Sequence, residues 1–513
     1  MLDRMLGCDQ TAVVEALRSG LAVGGSEPLK QIDTHISRLF LGRKHAYKLK
    51  RAVRLPFLDF STIEARRSAC EAELAANAAF ASRLYEGVAP VVRRANGEIS
   101  LSGAGDILDW VVVMRRFPDG ALLDEMAKAG TLTSDLIART VETVARFHAA
   151  GTPSREAGRP QDYLECIKGL RRAERHGVEA LKVLTISGSL FEALERELAE
   201  RSDLIESRRQ AGFVRRGHGD LHLGNICLFN GRVTPFDALE FDPTLATTDV
   251  LYDVAFLFMD LRARGLSLFA NVAMNRYWDV LGQPEEALAL LPLFMGMRAA
   301  VRMAVAVERG DLSEAEKYRD LGLLLLQHPL VRLVAIGGLS GSGKSTLARL
   351  LAPDLNGPCG GRLLSADRIR KAWAGVDPMT RLRPRFYTDD ARARVYRCLI
   401  ERTSYALKAG STVIVEATFR ERCARDKIEA ASGSLPFSGL WLTAATAVRA
   451  DRVSSRSGDV SDATAAVASL QVEPLDIGTA WCEIDVCPPI DRVASEARRV
   501  VRAEPERRLE AKA

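Results

Sequence analysis

Gly338-Leu-Ser-Gly-Ser-Gly-Lys-Ser345 has the form G-x-x-x-x-G-K-S, and its neighbours give it a structural context. Val331-Arg-Leu-Val-Ala-Ile336 ahead of it is apolar and β-branched, as a buried parallel strand requires. Thr346-Leu-Ala-Arg-Leu-Leu-Ala352 behind it opens a helix. A glycine-rich turn between strand and helix lets successive backbone N–H groups wrap a polyphosphate without side-chain obstruction. The pattern predicts that the loop of Gly338, Leu339, Ser340, Gly341, Ser342 and Gly343, with Thr346 behind it, holds the phosphates of ATP. Lys344 then reaches the β- and γ-phosphates, and Ser345 holds Mg²⁺.

Working outward, a chain of 513 residues exceeds a single core and implies two or three domains. Its 27% charged and 47% apolar residues are those of a soluble globular protein. A net charge of +5, from 71 basic and 66 acidic residues, is small for this length. No block of basic residues with interleaved aromatics stands out, so a nucleic-acid partner is not expected. The nine cysteines are scattered singly without C-x-x-C, and the seven histidines do not cluster with them. That argues against zinc and for a reducing, cytoplasmic setting. Apolar runs such as Leu321 to Leu326 are too short to span a membrane, and the first residues lack a signal-like apolar core.

About 330 residues precede the loop and need their own account. Thr11 to Gly24 has helical spacing and ends in Gly-Gly. Thr34-His-Ile-Ser-Arg-Leu-Phe-Leu41 and His45-Ala-Tyr-Lys-Leu-Lys50 read as a β-hairpin turned across Gly42-Arg-Lys44. Lys48 and Lys50, two apart, share one strand face. Asp59 to Glu86 reads as a long helix or helix pair with Glu71 and Glu73 near its middle. Ile107 to Phe117 reads as a buried strand, and Phe117-Pro-Asp-Gly120 as a hinge turn. Taken alone, the two lysines are ordinary surface charges. The order of elements, however, is that of a kinase nucleotide-binding lobe, in which a Lys–Glu pair aligns the α- and β-phosphates.

Leu132 to Ala150 is amphipathic, with His148 as a packed helix residue. Tyr163 to Arg208 reads as helical throughout, a charge-rich insertion on the outside that could cap a substrate. Gly217-His-Gly-Asp-Leu-His-Leu-Gly-Asn225 follows, then Ile226-Cys-Leu-Phe229, a turn at Gly231, and Val233-Thr-Pro-Phe-Asp237. Asp220, Asn225 and Asp237 supply in order a carboxylate for a hydroxyl proton, an amide for metal and a second carboxylate for Mg²⁺. His218 and His222 read as braces of the loop, and Glu240 and Asp242 as local acids or further metal oxygens.

His218-Gly-Asp-Leu-His-Leu-Gly-Asn225 with Phe236-Asp237 resembles the H-x-D-x-x-x-x-N and following Asp of the aminoglycoside phosphotransferase and choline kinase group, small-molecule relatives of protein kinases. The resemblance implies a bilobal kinase-like fold over residues 1–328, with a small lobe to about 117. It makes Asp220 the catalytic base, Asn225 and Asp237 the Mg²⁺ ligands, and Lys48 or Lys50 the phosphate-aligning lysine with Glu73 as partner. No G-x-G-x-x-G precedes the lysines, and no acidic substrate loop matches, so an aminoglycoside acceptor does not follow. Arg298 to Gln327 closes this region as helix, and His328-Pro329 marks the boundary.

From Val331 the rhythm is strand–helix–strand, with five strand candidates at 331–336, 362–366, 412–416, 439–442 and 482–486. They predict a P-loop domain over 329–513 with a five-stranded parallel sheet and ligands at the strands' carboxyl ends. Asp367, in Ser365-Ala-Asp-Arg-Ile-Arg370, stands where an acceptor would meet an acid, or it caps the following helix. Arg368 and Arg370 could bind anionic groups on that acceptor. Glu416 ends the third strand, where a Mg²⁺-directed acid would lie. Arg449, Arg452 and Arg456 fall on one helical face, with Arg452 and Arg456 expected to neutralise transferring phosphate, or simply to be solvated.

This region resembles P-loop kinases related to gluconate kinase, chloramphenicol phosphotransferase and polynucleotide 5′-kinase. The whole order resembles bacterial bifunctional aminoglycoside phosphotransferase/ATP-binding proteins. The resemblance implies ATP- and Mg²⁺-dependent phosphotransfer to hydroxyls of small molecules at two separate sites. Two alternatives stand beside it: a regulatory protein whose first domain binds ATP without transferring it, and a P-loop domain acting on nucleic-acid 5′ ends.

Overall fold

The computed structural model describes residues 9–25, 27–55, 58–240, 243–455 and 460–510. Compactness divides the chain into two units, Met1–Glu165 with Ile205–Asp260 and Cys166–Leu204 with Leu261–Ala513.

The first unit opens with α1 (Thr11–Arg18) and a six-stranded sheet. Its strands are β1 (Lys30–Asp33), β2 (Ser37–Leu41), β3 (His45–Lys50), then, beyond the short pair β4 (Arg54–Leu55) and β5 (Leu58–Asp59), β6 (Tyr85–Arg93), β7 (Ile99–Ser100) and β8 (Asp106–Arg115). Their order is β1-β2-β3-β8-β6-β7, with every pairing antiparallel. The period-two alternation of β3 separates two environments. Leu49 joins Val13 and Leu17 of α1 and Phe40 on one face. Ala46 joins Cys70 and Ala81 of α2 (Ile63–Ala81) on the other. Lys48 and Lys50 have the parity of Ala46, so the pleat carries both ammonium groups to the α2 face. Thr62 caps α2, its hydroxyl accepting the N–H of Ala65.

The helix expected over 59–86 is shorter than the sequence suggests, and Tyr85-Glu-Gly-Val-Ala-Pro-Val-Val-Arg93 is strand β6 instead. Pro90 hid it, since proline cannot donate to a ladder. Here Pro90 pairs with Trp110 of β8, and the short β7 meets β6 only at Val92 and Arg93, so the missing N–H faces no partner strand.

After α3 (Leu123–Lys128) and α4 (Ser134–Ala150), α5 (Pro160–Leu181) and α6 (Leu190–Gln210) replace the continuous helix expected over 163–208. The break holds Lys182 and Gly188 at positive φ. Glu174 caps the break, accepting from the N–H groups of Ile186 and Ser187. The hairpin β10 (Ile226–Phe229) and β11 (Arg232–Pro235) turns on Asn230-Gly231, both left-handed, as a two-residue connection needs. The short pair β9 (Val214–Arg216) and β12 (Thr247–Asp249) flanks it, with α7 (Pro243–Ala246) before β12 and α8 (Val250–Ala263) after.

In the second unit, β13 (Leu333–Gly338), β14 (Arg362–Ser365), β15 (Val413–Glu416), β16 (Phe437–Thr443) and β17 (Trp481–Asp485) form one parallel sheet in the order β14-β15-β13-β16-β17. All five strand candidates of the sequence are there. The fold is therefore of two kinds: a kinase-like α+β first half and a five-stranded α/β P-loop second half. Val334, Ile336, Ile414, Leu440 and Leu442 build the core against α12 (Lys344–Leu351) and the C-terminal helix at Ile490–Glu510.

The helices α9 (Ser267–Leu281), α10 (Leu291–Arg309) and α11 (Leu312–Leu325) belong to this same unit. Arg362, fully buried on edge strand β14, sets its guanidinium against Glu285 (3.0 Å), Asp279 (2.9 Å) and the amide oxygen of Asn275 (2.9 Å). Asn271 donates to the carbonyls of Cys359 and Gly361, and Arg402 pairs with Glu285. These helices therefore pack with the sheet although they precede the boundary expected at 328. The segment Glu285–Arg309 is long and apolar enough to cross a membrane, but 78% of its most apolar stretch is buried within the fold.

Candidate active sites

In the first unit, charges far apart in sequence converge on Glu73. Its Oε1 accepts from Lys48 Nζ at 2.9 Å and its Oε2 from Lys50 Nζ at 2.5 Å. Lys48 also reaches Asp237 Oδ1 at 2.5 Å, and Lys50 reaches Glu240 Oε1 at 2.5 Å. Both lysines and Glu73 are buried. Burial alone would push the Glu73 carboxyl up, but the two ammonium groups outweigh it and hold it at about 2. Burial likewise works against a charged Lys48, and Asp237 and Glu73 overcome it and raise its pKa. The Tyr85 hydroxyl closes the ring, donating to Glu73 Oε1 and accepting the Asp237 N–H, each at 3.3 Å. Glu71, one helical step away, is exposed and pairs only with Arg67 among the described residues.

Asp220 and Asn225 meet directly, with Asn225 Nδ2 donating to Asp220 Oδ2 at 2.8 Å and to its carbonyl at 3.0 Å. The strand pair carrying Asp237 is stitched to that loop. Phe236 N–H donates to the Asn225 carbonyl, His218 Nε2 lies 2.9 Å from the Phe236 carbonyl, and Leu239 N–H donates to that of His218. Burial lowers the His218 pKa, so the imidazole braces the loop as a neutral group. Gly219 sits at φ +84, and a Cβ there would fall 2.7 Å from the Cβ of Leu239, so only glycine lets the two segments close. Asp237 adopts φ +60, a left-handed conformation uncommon outside glycine but better tolerated by Asp than by most residues. His222 turns its Nδ1 to the Gly224 N–H and packs edge-on to Phe256.

The oxygen donors suit a hard divalent cation. Asn225 commits its amide nitrogen to Asp220, which leaves the amide oxygen as its ligand atom. Asp237 keeps 39% of its side chain exposed. Asp242 lies outside the described residues.

The second site is built from backbone. β13 ends in the loop, and Gly343, at φ +91, precedes the first turn of α12. Gly341 is at φ +86 with its Cβ position 2.4 Å from the carbonyl oxygen of Arg449, so the loop lies hard against the helix Thr446–Ser454. Ser340 N–H donates to Gln471 Oε1 at 2.7 Å, and Lys344 Nζ folds back on the Leu339 carbonyl at 2.9 Å. Ser342 is fully buried between them. Thr346 occupies the first turn of α12, its N–H bonded to the Gly343 carbonyl.

Glu416 ends β15 nearly buried. Burial raises its pKa, against hydrogen bonds from Ser345 and Ser365 and the charge of Lys344, and Asp367 adds to the rise. The loop serine and this carboxylate thus sit together, a donor pair that fits Mg²⁺. Asp367 belongs to α13 (Ala366–Trp373), which Ser365 caps, and it pairs with Arg370 at 2.6 Å. The N-cap role weighed for Asp367 therefore belongs to Ser365.

Arg452 Nη2 donates to the Val486 carbonyl at 2.8 Å, and its Nη1 lies 4.0 Å from where a Gly343 Cβ would stand. Arg449 is buried among the carbonyls of Ala444 and Ala468, a brace rather than a phosphate contact. Arg456 lies outside the described residues.

Residues 51–287 match the phosphotransferase enzyme family, and residues 333–474 match a family of AAA domains. The chain joins a phosphotransferase domain to a P-loop AAA domain. Uncharacterised proteins of Mycobacterium tuberculosis and Mycobacterium bovis are 29% identical over 497 residues, covering 92% of this chain and 95% of theirs. Among solved structures, a choline/ethanolamine kinase family protein from Mesorhizobium loti covers 63% of this chain and 96% of its own at 14% identity and a TM-score of 0.39. A gluconokinase from Sinorhizobium meliloti covers 36% and 98% at 22% identity and a TM-score of 0.27.

The phosphotransferase match begins just after Lys50, so both lysines enter the site on geometry alone. Sequence reasoning missed Asp253 in this domain. Its carboxylate accepts the N–H groups of His218 (3.0 Å) and Gly219 (2.7 Å) and lies 3.0 Å from His148 Nε2. A lone acid within the apolar stretch Val250-Leu-Tyr-Asp-Val-Ala-Phe-Leu257 was its only trace, because a buried carboxylate must find donors. Gln471 left no trace at all.

Proposed function

We propose that the protein is an ATP- and Mg²⁺-dependent phosphotransferase with two separate nucleotide sites, each moving a γ-phosphoryl group to a hydroxyl of a small molecule in the cytoplasm. The observation that carries the first site is the single ammonium of Lys48, held between Glu73 and Asp237 beside the Asp220–Asn225 pair. That arrangement supports Lys48 as the phosphate-aligning lysine. Lys50, fully buried and committed to Glu73 and Glu240, is then the structural partner that keeps Glu73 in place.

Asp220, 41% exposed, accepts or orients the proton of the attacking hydroxyl, and Asn225 fixes the carboxylate that does so. Asn225 and Asp237 would hold Mg²⁺, which neutralises charge on the phosphates when bound. At the second site the loop N–H groups and Lys344 cradle the phosphates, Ser345 and Glu416 would hold the metal, Asp367 meets the acceptor, and Arg452 stands beside the loop for the transferring group. We assign the domains as 1–328 and 329–513 by sequence order.

The test is a screen of a metabolite pool for transfer of labelled phosphate from ATP, run on the intact protein and on Asp220→Asn and Lys344→Ala. Each variant is expected to lose a different set of labelled products. Full activity of both variants on every acceptor would overturn the two-site reading.

A further inference from the structure

Between Arg368 and Arg397 the chain carries nine basic side chains against three acidic ones, a local excess larger than the +5 of the whole molecule. The segment includes Arg381-Leu-Arg-Pro-Arg-Phe-Tyr387, an arginine–aromatic run that the balanced total charge conceals and that corrects the expectation of no such block. Folding sharpens it by stacking guanidinium groups on rings. Arg370, beside Asp367, lies 4.9 Å over Tyr387, and the neighbouring Phe386 has Arg385 at 5.0 Å and Trp373 edge-on at 5.3 Å. Arg394 covers Trp373 at 4.6 Å. Rings and cations thus alternate in one continuous strip that starts at Asp367, the acceptor side of the P-loop site.

The strip is open to solvent. Trp373 and Tyr387 are each 37% exposed, and Arg381, Arg383, Arg385, Arg394 and Arg397 are all exposed. None of these five has a carboxylate within ion-pair distance among the described residues, whereas Arg370 and Arg392 of the same segment pair with Asp367 and Asp389. Cations two and three residues apart, as in Arg381, Arg383, Arg385 and in Arg394, Arg397, repel one another, and an anion that spans them relieves that repulsion. Asp462 holds the strip's base, accepting from Lys371 (2.7 Å), the Leu382 N–H (2.9 Å) and the Tyr387 hydroxyl, so Tyr387 is pre-positioned.

We propose that this strip binds single-stranded nucleic acid along the face leading to Asp367. A small anion needs only two or three donors, and an acidic peptide has no use for interleaved rings. A single strand offers both parts of the match: phosphates for the arginines and unpaired bases to stack on Trp373 and Tyr387. The inference is independent of whether phosphate is transferred at either site, because it concerns binding.

The experiment is fluorescence anisotropy of a short, unstructured, dye-labelled DNA strand titrated with the full-length protein over a range of salt. With about 0.7 counterions released per phosphate contact, five arginines give a log–log salt slope of roughly −3.5. Arg383→Ala with Arg385→Ala is expected to flatten the slope by about 1.4. Trp373→Ala is expected to weaken binding by about five- to a hundred-fold with the slope unchanged. Binding of a fluorescent ATP analogue, unchanged in these variants, reports that they are folded. The proposal is overturned if no salt-dependent binding occurs, if the variants bind as the parent does, if a duplex of the same length binds as tightly, or if inorganic phosphate alone displaces the strand.

Discussion

The two candidate sites would serve one proposed task, holding a polyphosphate, by opposite means. The phosphotransferase site is an assembly of side chains brought together from afar, Lys48 and Asp237 being 189 positions apart. The loop of the P-loop site is nine neighbouring residues, Gly338 to Thr346, to which the fold adds Glu416 beside Ser345 and Gln471 on the Ser340 N–H. A site made of side-chain charges carries its own electrostatic tension, because Glu73, Lys48, Lys50 and Glu240 are stable in burial only together. A site made of N–H groups depends instead on backbone conformations that glycine adopts freely and other residues do not. The first kind is expected to fail by charge deletion and by acid, the second by adding a methyl group.

The largest effect that would test this contrast is on turnover. Asp220→Asn should lower phosphotransfer at the first site by about 10²- to 10⁴-fold while leaving turnover at the second intact, read as phosphate release in a Lys344→Ala background and its converse. Next comes stability. Lys50→Ala leaves Glu73 and Glu240 facing each other in the interior and should cost about 3–5 kcal/mol in denaturant unfolding. Lys48→Ala should cost clearly less, because Asp237 is partly solvated, yet it should abolish turnover at the first site. Equal stability losses would break the division between an aligning and a structural lysine.

Gly341→Ala should cost about 1–3 kcal/mol and weaken nucleotide binding at the P-loop, since the new Cβ meets the Arg449 carbonyl at 2.4 Å; a thermal shift with and without ATP measures both. The smallest effect is in pH. Glu73 is held at about 2 against an ordinary 4.5, so its contribution to stability is complete above about 4.5 and is lost as pH falls from there toward 2. Glu416 is shifted upward, so if its carboxylate is needed, the P-loop site loses activity on acidification at a higher pH than an ordinary glutamate would allow. Separate pH profiles of the two single-site variants would show the order.

The same contrast explains what could be read without coordinates. The P-loop and its five strands were legible because periodicity, glycine spacing and strand–helix alternation are local signals. Asp220, Asn225 and Asp237 were legible because they lie on one short loop–hairpin stretch. The choice between Lys48 and Lys50 was not, since both ammonium groups, equivalent in pleat parity, meet a carboxylate far along the chain, and it depends on which meets the half-solvated Asp237 and which the buried Glu240. β6 was hidden by Pro90, and the break between α5 and α6 by helix-favouring charge on both sides. Asp253 showed only as a lone acid in an apolar stretch, because its role is to accept backbone N–H groups, which have no sequence identity.

Arg362 bears on how this polypeptide can be divided. Its guanidinium belongs to the P-loop sheet and its acids to helices that come earlier in the chain. Cutting the gene at His328 would strand a positive charge in the edge strand and bare the apolar flank beside it. A division of the chain at that point would have to replace Asp279 and Glu285 at the same time.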